Sequence, residues 1–530
     1  MLVRLIALRH CLQNIQEITD LLTRILRNTA ANYVLKIVQM GLSLASVPIL
    51  VSSVGPEGYG LLVLAGTVLG YFMFFDLGLS SAITKYVAEH HAQGDRNAVE
   101  EVVGTSLLLF SAIGVLVALF VFGLVESGFL NLFSIPSTLK ESAENVFRVS
   151  AIMALLAWPQ LVFEGTLRGL QDFVWLNIAT GIGRILAVSL GIYCAWTGQP
   201  LEIVFLAVQC DILLSVLWLP MLVRRRLPGW QFRASQVRFA TLSMMWVFSS
   251  WLMLGKIAVL LEYQLDTLLI GLVLPLAAIT TYTVTVYPFR IIQQISGLAA
   301  SAIMPAVSAE HSVGGDAAIG QFRRTGARIH NALVAVSALT MFFVIEPFLR
   351  LWMGNDYLEY LWLAKLACIF QLIWQSNALL AQVYVGTGQS KKLGVVAIIT
   401  GVANFALSLL LVHVIGLSGV IIGTIGAGLI GVVIFVVWCL PDISISVPRY
   451  LYEIVARGQA PVWLAALVLL PFQSVFSQID NWGALALATS MIAIFFCIVC
   501  YALVLTTAER RVLNTKFIKP FLRRSDIQPR

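Results

Sequence analysis

The sequence predicts an all-α polytopic membrane protein. About fourteen transmembrane helices are expected, as two six-helix lobes in parallel repeat with two helices appended at the C-terminus. Three observations predict this. Apolar residues make up 59% of the 530-residue chain and charged residues only 12%, against roughly 45–50% and about 25% in soluble proteins. The apolar residues come in long runs without period-2 alternation. Each run therefore reads as a helix crossing a hydrocarbon core that takes about 20 residues. The second half of the chain also repeats motifs of the first in register. So little charge cannot coat the several water-facing domains into which a soluble chain of this length would divide. A soluble enzyme, a disordered chain and a nucleic-acid-binding domain are excluded.

Residues 1–30 are interrupted by charge throughout. They lack both an apolar h-region and a small-residue cleavage site, so they do not read as a cleavable signal peptide. They form a cytoplasmic amphipathic segment on the membrane face; an over-extended translation start covering residues 1–26 reads equally well. The N-terminal lobe occupies 31–226, with spans near 32–53, 59–83, 102–125, 146–167, 174–196 and 201–223. A basic cytoplasmic linker, 227–240, follows. The C-terminal lobe, 241–440, holds spans near 241–273, 279–306, 329–349, 358–385, 393–413 and 417–440. Glu262 and Asp266 interrupt the seventh span, which is either one long bent helix or a broken one. Two more spans, near 460–478 and 482–507, fill 441–508, and a basic cytoplasmic tail closes the chain at 509–530.

The net charge of +7 is first a topology signal, because cytoplasmic loops collect Lys and Arg. With the N-terminus inside, cytoplasmic segments hold 26 of the 34 basic residues, and the outer loops hold only Lys140, Arg148 and Arg350. Both termini are therefore expected in the cytoplasm. Six of the seven cysteines lie within apolar runs, and none has metal-ligand spacing. They read as buried small hydrophobes, with no metal and no cofactor expected.

The repeat is carried by short matches. Lys36-Ile37 pairs with Lys256-Ile257, Ser81-Ala82-Ile83 with Ser301-Ala302-Ile303, and Ala88-Glu89-His90 with Ala309-Glu310-His311. Gly94-Asp95 pairs with Gly315-Asp316, and FLNLFSIP (129–136) with FLRLWMGN (348–355). Six spans per copy give the lobes the same orientation, an arrangement that carriers use for rocking around a midplane site.

An ionisable side chain at bilayer depth costs on the order of 2.5–3.5 kcal/mol and normally faces a bundle interior or a wet cavity. The basic set within spans is Lys36, Arg184, Lys256, Arg290 and Lys365; the acidic set includes Asp76, Glu262 and Asp266. Thr283, Tyr287, Arg290, Gln294, Gly297 and Ser301 share one helix face, which reads as a cavity wall. A structural pair of Arg290 with Asp266 or Glu262 is compatible with that wall. Lys36 and Lys256 either line the same cavity or snorkel to the inner interface. Gln371, Gln375 and Gln382 could bind sugar hydroxyls or bond between helices. Asp76 either caps a helix break or pairs with a lysine. The excess of positive charge suits an anionic substrate, a phosphate or diphosphate.

RNTAANYVLKIVQMGLSLASVPILVSSVGPEGYGLLVLAGTVLGYFMFFDLGLSSAITKYVAEH (27–90) resembles the start of the polysaccharide biosynthesis flippases, which include O-antigen-type lipid-linked oligosaccharide translocases of the multidrug/oligosaccharidyl-lipid/polysaccharide exporter superfamily. GPEGYG followed by FDLGLSSAITKYVAEH is the most specific piece; YQLDTLLIG (263–271) and FLRLWMGNDY (348–357) resemble second-lobe pieces. The resemblance implies movement of a polyprenyl-diphosphate-linked oligosaccharide across the bacterial inner membrane by alternating access, for lipopolysaccharide or exopolysaccharide assembly alongside other assembly proteins. It implies important cavity Arg and acidic residues in helices 7 and 8, which Arg290 and Asp266 match here; together with the charges and polar faces above, the substrate-cavity candidates are Arg290, Lys256, Lys36, Arg184, Lys365, Tyr287, Gln294 and Gln375. It also implies H+ or Na+ coupling, with Asp266, Glu262 and Asp76 as the carriers. The alternative is a multidrug or cation antiporter of the same superfamily, against which the basic excess argues. A membrane-embedded polymerase or ligase would carry a long outer loop with paired acids; Glu126, Glu141 and Glu144 show no such arrangement.

Overall fold

The computed structural model describes residues 2–73, 76, 78–249, 253, 265–301, 320, 322–386 and 390–514, with side chains from Val38 onward. Regular structure among them is helical, and eleven helices are long and apolar enough to cross a membrane. The chain divides into two compact units, Met1–Ile257 with Pro275–Ala277, and Ala258–Leu274 with Ala278–Arg530.

The first unit opens with α1 (Leu2–Met73). Gly55 (φ 75°, ψ 164°) breaks this helix, a positive φ that glycine adopts without steric cost. The turn expected at GPEGYG is thus one residue wide, and the stretch Val38–Met73 is two helices meeting at Gly55. The second of them is described as far as Met73, and a left-handed Gly78 (φ 87°) shows that 59–83 is not one helix. Asp76 accepts from Gly78 N (3.1 Å) and from the Ser80 hydroxyl, at the entry to α2 (Leu79–Ala92), whose N-cap is Gly78.

Next come α3 (Arg96–Glu126), α4 (Lys140–Gly169), α5 (Phe173–Trp196), α6 (Leu201–Val208) and α7 (Cys210–Arg226). The core lies where α2, α3 and α4 meet. Trp158 is fully buried and meets Phe110 edge-on at 5.6 Å. At Gly169 an added Cβ would lie 2.7 Å from Val87, so glycine lets α4 cross α2 closely. The opposite face of α3 presents Leu116, Leu119 and Phe120 outward, as a lipid-facing surface does.

Residues 227–240 are anchored to this core. Leu227 and Trp230 are buried within it, Thr105 Oγ1 donates to the Gln236 carbonyl at 3.2 Å, and Arg238 pairs with Glu101 at 3.0 Å. Glu126 and Glu144 share a structural partner: Arg148 reaches them at 3.0 and 3.5 Å.

The span expected at 241–273 is described as α8 (Phe239–Ser249) and α9 (Leu265–Val273). The second unit continues with α10 (Leu276–Ser301), α11 (Ala327–Met353), α12 (Leu361–Trp374), α13 (Ala378–Gly386), α14 (Ser390–Ile415) and α15 (Leu417–Ile434). A 3₁₀ turn at Gln375–Asn377 separates α12 from α13. Then come α16 (Arg457–Leu469), α17 (Trp482–Val499) and a short α18 (Thr507–Leu513).

Three glycines let α15 lie against its neighbours. A Cβ on Gly423 would meet Ser408 at 2.5 Å; on Gly428 it would collide with Phe370, and on Gly431 with Thr400. Elsewhere in the unit, Arg328 Nη2 donates to both carboxylate oxygens of Glu509 (2.5 and 2.7 Å). That pair ties α18 to the start of α11.

Candidate functional site

The second unit buries a carboxylate. Asp266 stands at the start of α9 and is only 5% exposed. An isolated charge there would be very costly, so its partners define the site. Tyr282 Oη donates to Oδ2 at 2.6 Å and Thr424 Oγ1 to the same oxygen at 2.9 Å; Asn404 Nδ2 donates to Oδ1 at 3.1 Å. Four helices, α9, α10, α14 and α15, thus converge on one carboxylate. Arg290, two turns beyond Tyr282 on α10, stands beside the Tyr282 hydroxyl, and its positive charge acts on Asp266. Further oxygens lie close behind: Ser408 Oγ is 3.2 Å from both Asn404 Oδ1 and the Val420 carbonyl.

A cavity of about 50 Å³ opens on this cluster, with Phe289, Phe370 and Trp374 as its aromatic walls. It has room for a few waters or one ion and not for a sugar ring. A larger cavity of about 320 Å³ adjoins it and shares Gln293, Trp374 and Thr400 with it. Gln375, Asn377 and Gln382 complete its polar lining. The 3₁₀ turn that breaks α12 from α13 supplies the first two of these.

Of the residues expected from sequence, Arg290 and Asp266 come together on the small cavity and Gln375 lines the large one. Tyr287 instead packs its ring on Trp352 at 4.7 Å, and Gln294 is exposed outside both cavities. The cavity wall of α10 runs through Tyr282, Val286, Arg290, Gln293, Gly297 and Ala300; it shares Arg290 and Gly297 with the expected stripe and lies one residue before it at the other four positions. Gln371 is fully buried away from the cavities that hold Gln375 and Gln382.

Lys365 pairs with Glu346 at 3.5 Å and sits 6.0 Å over the Phe342 ring. Arg184 belongs to the first unit, where it reaches Asp211 at 3.4 Å. Asp76, also in the first unit, stands at the entry to α2. Lys256, Glu262 and the Lys36 side chain lie outside the described residues.

Tyr282, Asn404, Thr424, Gln293 and Trp374 had not been expected. Asn404 and Ser408 carry a signal in sequence, since they are polar residues four apart on one face of an otherwise apolar helix.

Residues 25–311 match the family described as polysaccharide biosynthesis protein. The uncharacterised membrane protein EpsK of Bacillus subtilis (strain 168) is 21% identical over 503 residues, 93% of this chain and 98% of that one. Among solved structures, the lipid II flippase MurJ in an inward closed conformation is similar, with a TM-score of 0.71 at 12% identity over 89% of this chain and 99% of its own. An inward-facing multidrug resistance MATE family transporter of the MOP superfamily gives 0.63 at 16% identity, covering 77% and 94%. At such identities the likeness to the two structures is one of fold. The family match covers more than half of the chain, and the chain is a multi-pass membrane protein of the polysaccharide biosynthesis protein family.

Proposed function

We propose that this protein is a flippase that moves a polyprenyl-diphosphate-linked oligosaccharide across the bacterial inner membrane, with both termini in the cytoplasm. The observation that carries the reading is the buried Asp266–Arg290 site within a chain of a polysaccharide-building family. MurJ, whose fold the chain shares, is by name a lipid II flippase. Arg290 is the group suited to a diphosphate, because its planar guanidinium can fork onto two phosphate oxygens.

Within the site the charge of Asp266 balances Arg290. An incoming diphosphate competes for the guanidinium and leaves Asp266 in need of another positive partner. One carboxylate ringed by neutral oxygens of Asn404, Ser408 and Thr424 suits a proton or a monovalent cation. Exchange of partners at Arg290 would thereby couple substrate to ion. Lys36 and Lys256 add positive charge to the substrate path, and rocking of one lobe against the other carries the headgroup across. A ligand biases that equilibrium only by binding one state better than the other.

In cells lacking the gene, lipid-linked glycan should accumulate on the cytoplasmic leaflet. The wild-type gene should restore export, and Arg290→Ala should restore less than a tenth of it. Normal export in the deletion strain, or full rescue by Arg290→Ala, would contradict the assignment.

A second reading has its own observation. A buried carboxylate with Phe289, Phe370 and Trp374 around it also suits an organic cation. Ion-dependent efflux of a cationic dye, abolished by Asp266→Asn while glycan export continues, would favour a cation antiporter.

A further inference from the structure

We infer that the larger cavity of the second unit is a binding subsite for a neutral sugar ring, an inference that rests on the flippase reading and specifies where that cargo is read. The first ground is charge. Among the described residues no Lys, Arg, Asp or Glu lines this cavity, although it shares a wall with the Arg290–Asp266 site. Within that lining an anionic group finds no cation, and an organic cation no carboxylate. The volume, about 320 Å³, lies at the lower end of ligand pockets, roughly 300–1,000 Å³.

The second ground is how the amides are held. Ser296 Oγ donates to Gln375 Oε1 at 2.7 Å, and Tyr450 Oη donates to Asn377 Oδ1 at 2.6 Å. Both hydroxyls come from behind the wall, where Ser296 and Tyr450 are buried. The single Ser296 proton goes to Gln375, so His330 Nε2, 3.1 Å from Ser296 Oγ, must be the donor of that contact. A relay from His330 through Ser296 therefore fixes the Gln375 amide, with its carbonyl turned into the protein. The amide donors of Gln375 and Asn377 are left for an occupant. Anchoring of this kind has no use for a lipid chain, which needs no donors. It suits hydroxyl and acetamido oxygens fixed on a ring.

The third ground is the wall opposite. Trp374 presents an aromatic surface to the cavity beside Gln382 and Gln293. The apolar face of a pyranose can lie on such a surface while its equatorial hydroxyls meet the amides. Gly297 keeps the space open, since a Cβ added there would meet nothing within 4 Å.

The test uses the purified full chain in lipid nanodiscs and two probes: the lipid-linked glycan extracted from the producing cells, and polyprenyl diphosphate without sugar. The wild type should bind the glycan-bearing probe at least tenfold more tightly. Gln375→Leu removes the donor, and Gly297→Leu fills the cavity without deleting a hydrogen bond, so it serves should Gln375→Leu fold poorly. Each should bring the glycan-bearing probe to the affinity of the bare diphosphate, with diphosphate binding itself unchanged within twofold. If both variants keep the wild-type preference, the subsite is overturned and the flippase reading stands. If the wild type binds neither probe, the flippase reading falls and the subsite with it.

Discussion

Asp266 owes its place to three neutral donors and one guanidinium, and removing its charge is different from removing its side chain. Asp266→Ala leaves Tyr282, Asn404 and Thr424 without their shared acceptor in a buried site. A buried group left unsatisfied costs about 1–3 kcal/mol. Thermal unfolding in detergent should therefore show a clear loss of stability for Asp266→Ala and a much smaller one for Asp266→Asn, which keeps an acceptor oxygen. At this scale the sequence was half legible. Asp266 and Arg290 stood out because ionisable groups are rare in apolar spans. Their partners did not, because Asn404 and Thr424 lie more than 130 residues away and are chosen by helix packing. The polar stripe of α10 was read one residue out of phase at four positions for a related reason. Gln293 and Gln294 both fit a helical period, and only the neighbouring helices decide which one meets the cavity.

Helix ends and crossings are set by a few residues each. Glycine at 428 is required by the approach of Phe370 and Trp374 to α15. Gly428→Val should destabilise the second unit by about 1–3 kcal/mol through overpacking and distort the Trp374 wall, seen as a lowered unfolding temperature. The pair of Arg328 with Glu509 fixes α18. Burial works to raise the Glu509 carboxyl, but the Thr506 N–H and hydroxyl and the Arg328 charge outweigh it and hold it below its ordinary value. A depressed carboxyl contributes stability that is present above the unfolded value, near 4.5, and lost as pH falls through the folded value. Amide exchange over 507–513 should thus stay protected from pH 7 down to about 5 and rise in stronger acid. Arg328→Ala should remove the protection already at pH 7; unchanged exchange would show that the pair does not hold α18.

Helix boundaries were the least legible elements. The expected span 59–83 is interrupted before α2, and the expected linker 227–240 is anchored to the first unit's core by Leu227 and Trp230 while most of its residues are exposed. The first is a local matter of Asp76, Gly78 and Ser80, whereas the second depends on contacts made far along the chain, Trp230 against Phe163 being one.

For the molecule as a whole, composition, run length and basic-residue placement were enough for the fold class. Lipid as solvent forces every spanning segment to satisfy its own backbone, so apolar length alone predicts a helix. The duplication is read from the short sequence matches alone, and the helices divide differently in the two halves, between α6 and α7 in one and between α12 and α13 in the other. The proposal of cytoplasmic termini rests on the 26 basic residues assigned to one side. A cysteine placed in the tail should be labelled by an impermeant thiol reagent only after inner membranes are opened; labelling of intact periplasm-exposed cells would reverse the topology.

The central claim is transport of a lipid-linked glycan through the Asp266–Arg290 site. It is tested most directly in proteoliposomes loaded with extracted lipid-linked glycan, reading how fast the sugar crosses from one leaflet to the other. The account predicts transfer at least tenfold faster with wild-type protein than in protein-free vesicles, and a return to the protein-free rate with Arg290→Ala or Asp266→Asn. Wild-type vesicles no faster than empty ones, or both variants as fast as the wild type, would contradict it.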